Sequence, residues 1–217
     1  MSILELKNIS YAYEKGQVIL SDISAALETG KMYAVLGPSG SGKSTLLSLL
    51  GGLDTPTKGH ILFNGEDILK KGLEYHRRNR VSLIFQNYNL IDYMTPLENT
   101  ALTAKRDGMP ILERLGLTWE EARRNVLKLS GGQQQRVAVA RALASAAPVI
   151  LADEPTGNLD EDTASELTDI FRESAHQFGK CVVVVTHSQA VAEKADVVLE
   201  LKHKKLKERA IVISVCV

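Results

Sequence analysis

Gly37-Pro38-Ser39-Gly40-Ser41-Gly42-Lys43-Ser44-Thr45 decides how this chain is read. The stretch fits the spacing G-x-x-x-x-G-K-[ST], and it stands between the apolar run Tyr33-Ala34-Val35-Leu36 and the helix-forming Leu46-Leu47-Ser48-Leu49-Leu50. Its glycines let the backbone turn tightly and bring N–H groups close to phosphate oxygens. The helix that follows points its positive end at the same anion. In such a loop Lys43 reaches the β- and γ-phosphates, and the Ser44 hydroxyl takes a place on Mg²⁺. Strand, loop and helix in this order predict a nucleoside triphosphate site. A chance glycine-rich loop would not be framed in this way.

Working outward, short apolar runs alternate with helical stretches, the pattern of a sheet covered by helices. Tyr33–Leu36, Val81–Phe85, Val149–Ala152 and Val182–Thr186 read as strands buried on both faces, as parallel strands are, and Val197–Leu201 adds one more. Ile3–Leu6, Ile19–Leu27 and His60–Phe63, before the Asn64-Gly65 turn, read as a more antiparallel N-terminal sheet. Between Asn87 and Ala147 strand-like runs vanish. Helical periodicity takes over in Ile111–Leu117, Glu120–Leu127 and Gln133–Ala144. The expected fold is therefore α/β: a phosphate-loop core with a mostly parallel sheet, an N-terminal antiparallel β subdomain and an inserted helical subdomain, which by itself leaves kinases, GTPases and ATPases open. The core takes residues 1–86 and 148–217 and the helical lobe 87–147, within one domain.

Composition sets outer bounds. The chain has 217 residues, with 26 basic and 26 acidic side chains, so no overall positive field favours nucleic acid or an anionic membrane. No apolar window reaches the length that crosses a bilayer, and no apolar signal segment stands at the start, so a cytoplasmic protein is expected. The two cysteines, Cys181 and Cys216, lack metal-ligand spacing and read as reduced thiols. The basic stretch from Lys202 to Arg209 reads as a solvated helix or turn, and the apolar Ile211–Val217 as a packed strand.

Val149-Ile150-Leu151-Ala152-Asp153-Glu154 is an apolar strand ending in two carboxylates. In an open α/β sheet such a strand end delivers its acids to the crevice where ligands bind. Asp153 would hold Mg²⁺, and Glu154, one residue on, would polarise the attacking water as general base. Downstream of the helical region's midpoint, Leu129-Ser130-Gly131-Gly132-Gln133 heads the helix Gln133–Ala144. It makes a second anion-binding helix start, with Ser130 as its N-cap.

These motifs together resemble the nucleotide-binding subunit of ATP-binding-cassette transporters, and the resemblance covers nearly all of the chain. It implies that Ser130, Gly131, Gly132 and Gln133 bind the γ-phosphate of ATP held by a second subunit, so that two nucleotides lie between head-to-tail cassettes. It gives Gln86 to Mg²⁺ and the attacking water, His187 to the γ-phosphate, and Asp160, in Asn158-Leu159-Asp160, to the dimer interface. It gives Tyr13 to adenine, with Tyr11 close by in sequence. The catalytic set is thus Glu154, His187, Gln86 and Lys43. The nucleotide set adds Tyr13, Gly37, Pro38, Ser39, Gly40, Ser41, Gly42, Ser44, Thr45, Ser130, Gly131, Gly132, Gln133 and Asp160. The metal set is Ser44, Gln86 and Asp153.

Ala152–Asp160, Ile84-Phe85-Gln86 with Tyr88-Asn89-Leu90, and Leu129–Arg136 are similar to a narrower group, of macrolide and peptide exporters, lipoprotein-release ATPases, bacitracin-type resistance pumps and the cell-division ATPase. That likeness implies ATP and Mg²⁺ as cofactors and a second cassette, as a homodimer. It also implies a transmembrane permease as the sole membrane contact, a place on the inner face of the membrane, and no nucleic-acid partner. The permease would dock near Tyr88, Leu90, Ile91, Tyr93, Met94 and Leu97. The chain departs from the group's pattern in having Asn125-Val126-Leu127-Lys128 before the Ser-Gly-Gly element and no Asp-Gly turn after Val197–Leu201. Soluble cassette ATPases of DNA repair carry a long coiled-coil insertion that is missing here. Ribosomal ones pair two cassettes in one chain with a basic surface. A nucleoside kinase would leave Ser130-Gly131-Gly132 unexplained.

Overall fold

Val149–Asp153 and Cys181–Val185 carry no polar residue before Asp153, and a strand of that kind must lie between two covered faces. The computed structural model, which describes residues 2–13, 16–104 and 107–209, places both as interior strands of a six-stranded sheet. In chain order its strands are β3 (Met32–Leu36), β6 (Val81–Ile84), β7 (Val149–Asp153), β8 (Cys181–Val185), β9 (Val197–Lys202) and β10 (Lys205–Arg209). In space they run β10-β9-β3-β8-β7-β6, all parallel except β10. A second, antiparallel sheet runs β2-β1-β4-β5, from β1 (Ser2–Ala12), β2 (Val18–Glu28), β4 (Lys58–Phe63) and β5 (Glu66–Asp67). The expected architecture is borne out.

Period-two alternation splits the central sheet's side chains between two cores. Tyr33, Val35, Leu151, Val183 and Val185 face helix α1 (Lys43–Leu50) and the antiparallel sheet, where Leu46, Leu47, Leu49 and Leu50 are all buried. Ala34, Ile150, Ala152, Val182 and Val184 face the other way, onto Phe171 and Leu167 of α7 (Glu161–His176) and onto α6 (Gly131–Ala144). The helix that follows the phosphate loop is thus clamped between two sheets, and the loop hangs from a rigid support.

Between β6 and β7 the chain builds α3 (Pro96–Ala101), α4 (Met109–Arg114), α5 (Trp119–Arg123) and α6, which pack on one another. Among the described residues two further helices stand outside this lobe and the sheets' flanks already named, α2 (Leu73–Asn79) before β6 and α8 (Gln189–Glu193) before β9.

Three expectations are corrected. The predicted helix Glu120–Leu127 stops at Arg123, because Asn125 turns the chain by accepting from the Leu127 amide and donating to the Asp92 carbonyl. A short 3₁₀ turn, Val126–Lys128, follows. The predicted helix Ile111–Leu117 stops at Arg114, and Gly116 reverses the chain at φ 75°. The basic stretch 202–209 is no solvated helix but a hairpin: β10 pairs antiparallel with β9 across His203 and Lys204, at φ 50° and 66°. Those two residues adopt the left-handed geometry that a two-residue hairpin turn requires and that Asp-Gly usually supplies. Lysines along β10 also suit an exposed sheet edge. Ile211–Val217 lies outside the described residues.

Candidate functional site

The carboxyl ends of β3, β6, β7 and β8 open onto a cavity of about 530 Å³. Its lining includes Tyr13, Ser39, Gly40, Gly42, Lys43, Ser44, Thr45, Gln86, Asp153, Glu154 and His187, all expected from sequence. Ile19, Gly157 and Asn158 complete the wall. Ile19 was not foreseen as a site residue, although its signal is physical: a Cβ on Gly42 would lie 2.8 Å from the Ile19 side chain.

The loop before α1 is built to receive an anion. Gly42, at φ 101°, occupies the N-cap position, and no side chain caps the helix, so its first N–H groups are left for a ligand. Gly37 is required by space. A Cβ there would lie 2.5 Å from the Leu201 carbonyl oxygen and 2.8 Å from Ser41 Oγ. Lys43 Nζ donates to the Gly37 carbonyl at 2.8 Å and to the Pro38 carbonyl at 3.1 Å, which holds the ammonium inside the curve of the loop. Ser41 Oγ is buried without a partner.

Opposite the loop stand the two acids of β7. Burial pushes the Asp153 carboxyl up, the Ser44 side chain draws it back down, the Glu154 charge adds to the rise, and Lys43 opposes it. Glu154 has φ 47°, a left-handed value for a non-glycine residue, and its amide donates to the Val185 carbonyl at 2.9 Å. Glu154 Oε1 lies 3.0 Å from His187 Nδ1, while Oε2 is buried without a partner. Its side chain is 14 % exposed and that of His187 75 %, so the acid is held and the imidazole stands in solvent.

Tyr13, 52 % exposed, brings its hydroxyl to 3.2 Å from Thr45 Oγ1 at the cavity mouth. Tyr11 is buried, bonded to Asp54 and packed edge-on against the Tyr13 ring, so it cannot serve there.

Ser130, Gly131, Gly132, Gln133 and Asp160 are not brought into this cavity. Ser130 caps α6 in a capping box: its Oγ accepts from the Gln133 amide at 3.3 Å, and Gln133 Oε1 accepts from the Ser130 amide at 2.9 Å. Gln133 Nε2 donates to Glu121 Oε1 at 2.5 Å, and Glu121 itself closes the Thr118 capping box of α5. The two helix starts are thereby joined. Asp160 caps α7, accepting from the Thr163 amide and hydroxyl at 2.9 and 2.8 Å.

Residues 20–157, which run from β2 past both acids of β7, match the ABC transporter family. The chain belongs to that family. It is an ATP-binding cassette with an ATPase domain. It is 42 % identical over 212 residues to the ABC transporter ATP-binding protein YclH of Bacillus subtilis, covering 93 % of this cassette and 94 % of that protein. To the macrolide export ATP-binding/permease protein MacB of Hyphomonas neptunium it is 40 % identical over 220 residues, 94 % of this cassette but 34 % of that protein. Among solved structures it is similar to the dimeric form of MJ0796, a bacterial ABC transporter cassette, with a TM-score of 0.88 and 35 % identity over 95 % of this chain and 97 % of that one. A post-hydrolysis dimer of MJ0796 with ADP and Pi bound gives a TM-score of 0.87 at 34 % identity, with the same coverage.

Proposed function

We propose that this cassette binds and hydrolyses ATP between two copies of itself and so drives a transmembrane permease that works as an exporter. The observation that carries the reading is the division of the site. Phosphate loop, Asp153, Glu154, Gln86 and His187 line one cavity, while the capped helix start at Ser130 lies outside it. A second copy, set head to tail, would bring its Ser130, Gly131 and Gly132 to the γ-phosphate.

In this reading the loop amides and Lys43 hold the β- and γ-phosphates, with Gly37, Pro38 and Ser41 shaping the curve and Thr45 and Tyr13 lying toward the nucleoside. Glu154 accepts a proton from water as the water oxygen attacks the γ-phosphorus. The bond from that phosphorus to the β–γ bridging oxygen breaks, and ADP leaves. His187 keeps Glu154 oriented and faces the γ-phosphate. Gln86 positions the same water. Asp160 would meet the opposite copy.

Mg²⁺ fits the donor set, because Asp153, the Ser44 hydroxyl and the Gln86 amide oxygen are hard oxygen ligands on one cavity wall. When bound it would neutralise charge on the β- and γ-phosphates.

Residues 1–86 and 148–217 would act as the core and 87–147 as the lobe that follows the permease. Tyr93 is 80 % exposed and Leu127 60 %, and the segments that carry them are joined where the Val126 amide donates to the Met94 carbonyl. These exposed apolar side chains, in a segment whose Leu90 and Leu97 are only partly buried against the core, are the natural seat for the permease. No described helix is long and apolar enough to cross a membrane, so the cassette would sit on the inner face through that contact. Likeness to a macrolide export protein supports an antibiotic as cargo, while a peptide or lipoprotein rests on the sequence resemblance to the wider exporter group.

Lys43→Ala is expected to weaken binding of a fluorescent ATP analogue by roughly 10- to 150-fold, the range for hydrogen bonds to a charged group. Unchanged affinity would remove Lys43 from the phosphate contacts. The partner claim is tested by purifying Glu154→Gln from detergent-solubilised membranes of its own cell with ATP present. A membrane protein should accompany it. Recovery of only soluble or ribosomal partners overturns the transport claim.

A further inference from the structure

Immediately after Gln86 the chain makes a costly turn. Tyr88 and Asn89 both take positive φ, 54° and 48°, a left-handed geometry that asparagine tolerates but that a bulky tyrosine keeps only where its surroundings hold it. The restraint is Arg141, on α6. Its guanidinium donates to the Tyr88 carbonyl at 3.0 Å and to the Asn89 carbonyl at 2.6 Å. One helix thus carries Gly131 and Gly132 at its head and grips the Gln86 loop further along.

A third segment is tied to the same turn. Asn158 Nδ2 donates to the Tyr88 hydroxyl at 3.1 Å. Asn158 follows a tight turn in which the Gly157 amide donates to the Glu154 carbonyl at 3.2 Å, and it lines the cavity with Glu154 and Gln86. The hydroxyl also faces the head of α6, where a Cβ on Gly131 would lie 3.2 Å from it. Tyr88 therefore meets the Glu154 loop and the start of α6 while standing in the Gln86 loop itself.

We infer that Tyr88 is a positioning residue: its hydroxyl, held by Asn158, sets the Gln86 loop against the Glu154 loop, and Arg141 fixes the same turn to α6. The inference rests on the hydrolytic reading given above. Two groups that act on one water must be held to fractions of an ångström, and small displacements between them lower turnover more than binding. Tyr88 is absent from the cavity wall. Its loss therefore acts on kcat.

The test is steady-state ATP hydrolysis by the full chain, with kcat and KM measured for Tyr88→Phe, Asn158→Ala and the double variant. Each single change is expected to lower kcat roughly 3- to 10-fold, the range for one net hydrogen bond, with KM for ATP unmoved by Tyr88→Phe. The double variant should lose no more than the worse single, because both remove the same contact. Losses that multiply, or wild-type kcat in Tyr88→Phe, overturn the inference. So does a KM that rises with a falling Tm, the signature of a merely structural role. In all these cases the hydrolytic reading survives, provided Glu154→Gln still abolishes turnover. A wild-type chain that does not hydrolyse ATP defeats both.

Discussion

Glu154→Gln is expected to keep ATP binding and to lower turnover by at least ~10²-fold, the lower range for removing a general base. The substitution preserves size and shape, so the chain should fold as before. What it removes is the charge and basicity of Glu154 Oε2, a buried oxygen with no partner in the protein. Leaving such an atom unpaired is costly, and the arrangement persists at sites where a ligand or a reacting water completes it. The other oxygen is already engaged with His187 Nδ1 at 3.0 Å, so the free one is the candidate acceptor of the water proton. The backbone supports the assignment. Glu154 is held at φ 47°, with its N–H donating a hydrogen bond to the Val185 carbonyl, and this strained residue lines the cavity. Phosphate binding rests on the loop and Lys43, which the substitution leaves alone, so a fluorescent ATP titration should give wild-type affinity. Phosphate-release assays on the same protein measure the fall. Near-normal hydrolysis would remove Glu154 from the role of base.

The parts legible in the sequence are those governed by local rules. Gly37–Thr45 declares its turn because only glycine fits at Gly37 and Gly42, and the four β-strands behind the cavity announce themselves as apolar runs, that of β6 broken only by Ser82. Ser130 was readable as a cap because Gln133 stands three residues on, the spacing of a capping box. What stayed hidden depends on partners distant in sequence. β10 is rich in lysine and reads as solvated. It becomes a strand only because β9 offers a free edge and His203 and Lys204 accept the turn. The turn at Tyr88 and Asn89 was invisible for a similar reason. Tyrosine is no turn residue, and the group that holds it, Arg141, lies more than fifty positions away in sequence. Asn125 ends α5 through the carbonyl of Asp92, a contact that no helical periodicity reveals. At the site, the sequence named most residues of the cavity wall, though not Ile19 or Gly157, and did not show the links between side chains, as with Glu154 and His187 or Asn158 and Tyr88.

Ser130→Arg is expected to abolish hydrolysis while ATP binding to the monomer stays at wild-type strength. The argument rests on where Ser130 lies. It caps α6 outside the cavity that holds Lys43 and Glu154, so in one copy the new side chain meets no nucleotide. In a head-to-tail pair the same helix start would face the γ-phosphate of the opposite copy. A bulky guanidinium there would hold the two copies apart, so the hydrolytic site would never be completed. Loss of the cap itself costs only ~1 kcal/mol of helix stability. An arginine beside the positive helix end adds a small repulsion. Neither is enough to unfold a helix whose Val137, Ala138, Val139 and Ala140 are all buried. Gln133 also stays tied to Glu121. Ser130→Ala separates the two effects, since it removes the cap and its hydroxyl without adding bulk, and it should retain part of the activity that arginine eliminates. Three measurements decide the matter: monomer affinity for ATP, ATP-dependent dimer formation by light scattering, and phosphate release. Wild-type affinity with no dimer and no release places Ser130 across the interface. Weakened affinity in the monomer would instead put it in the site of its own chain and remove the basis for a two-copy mechanism.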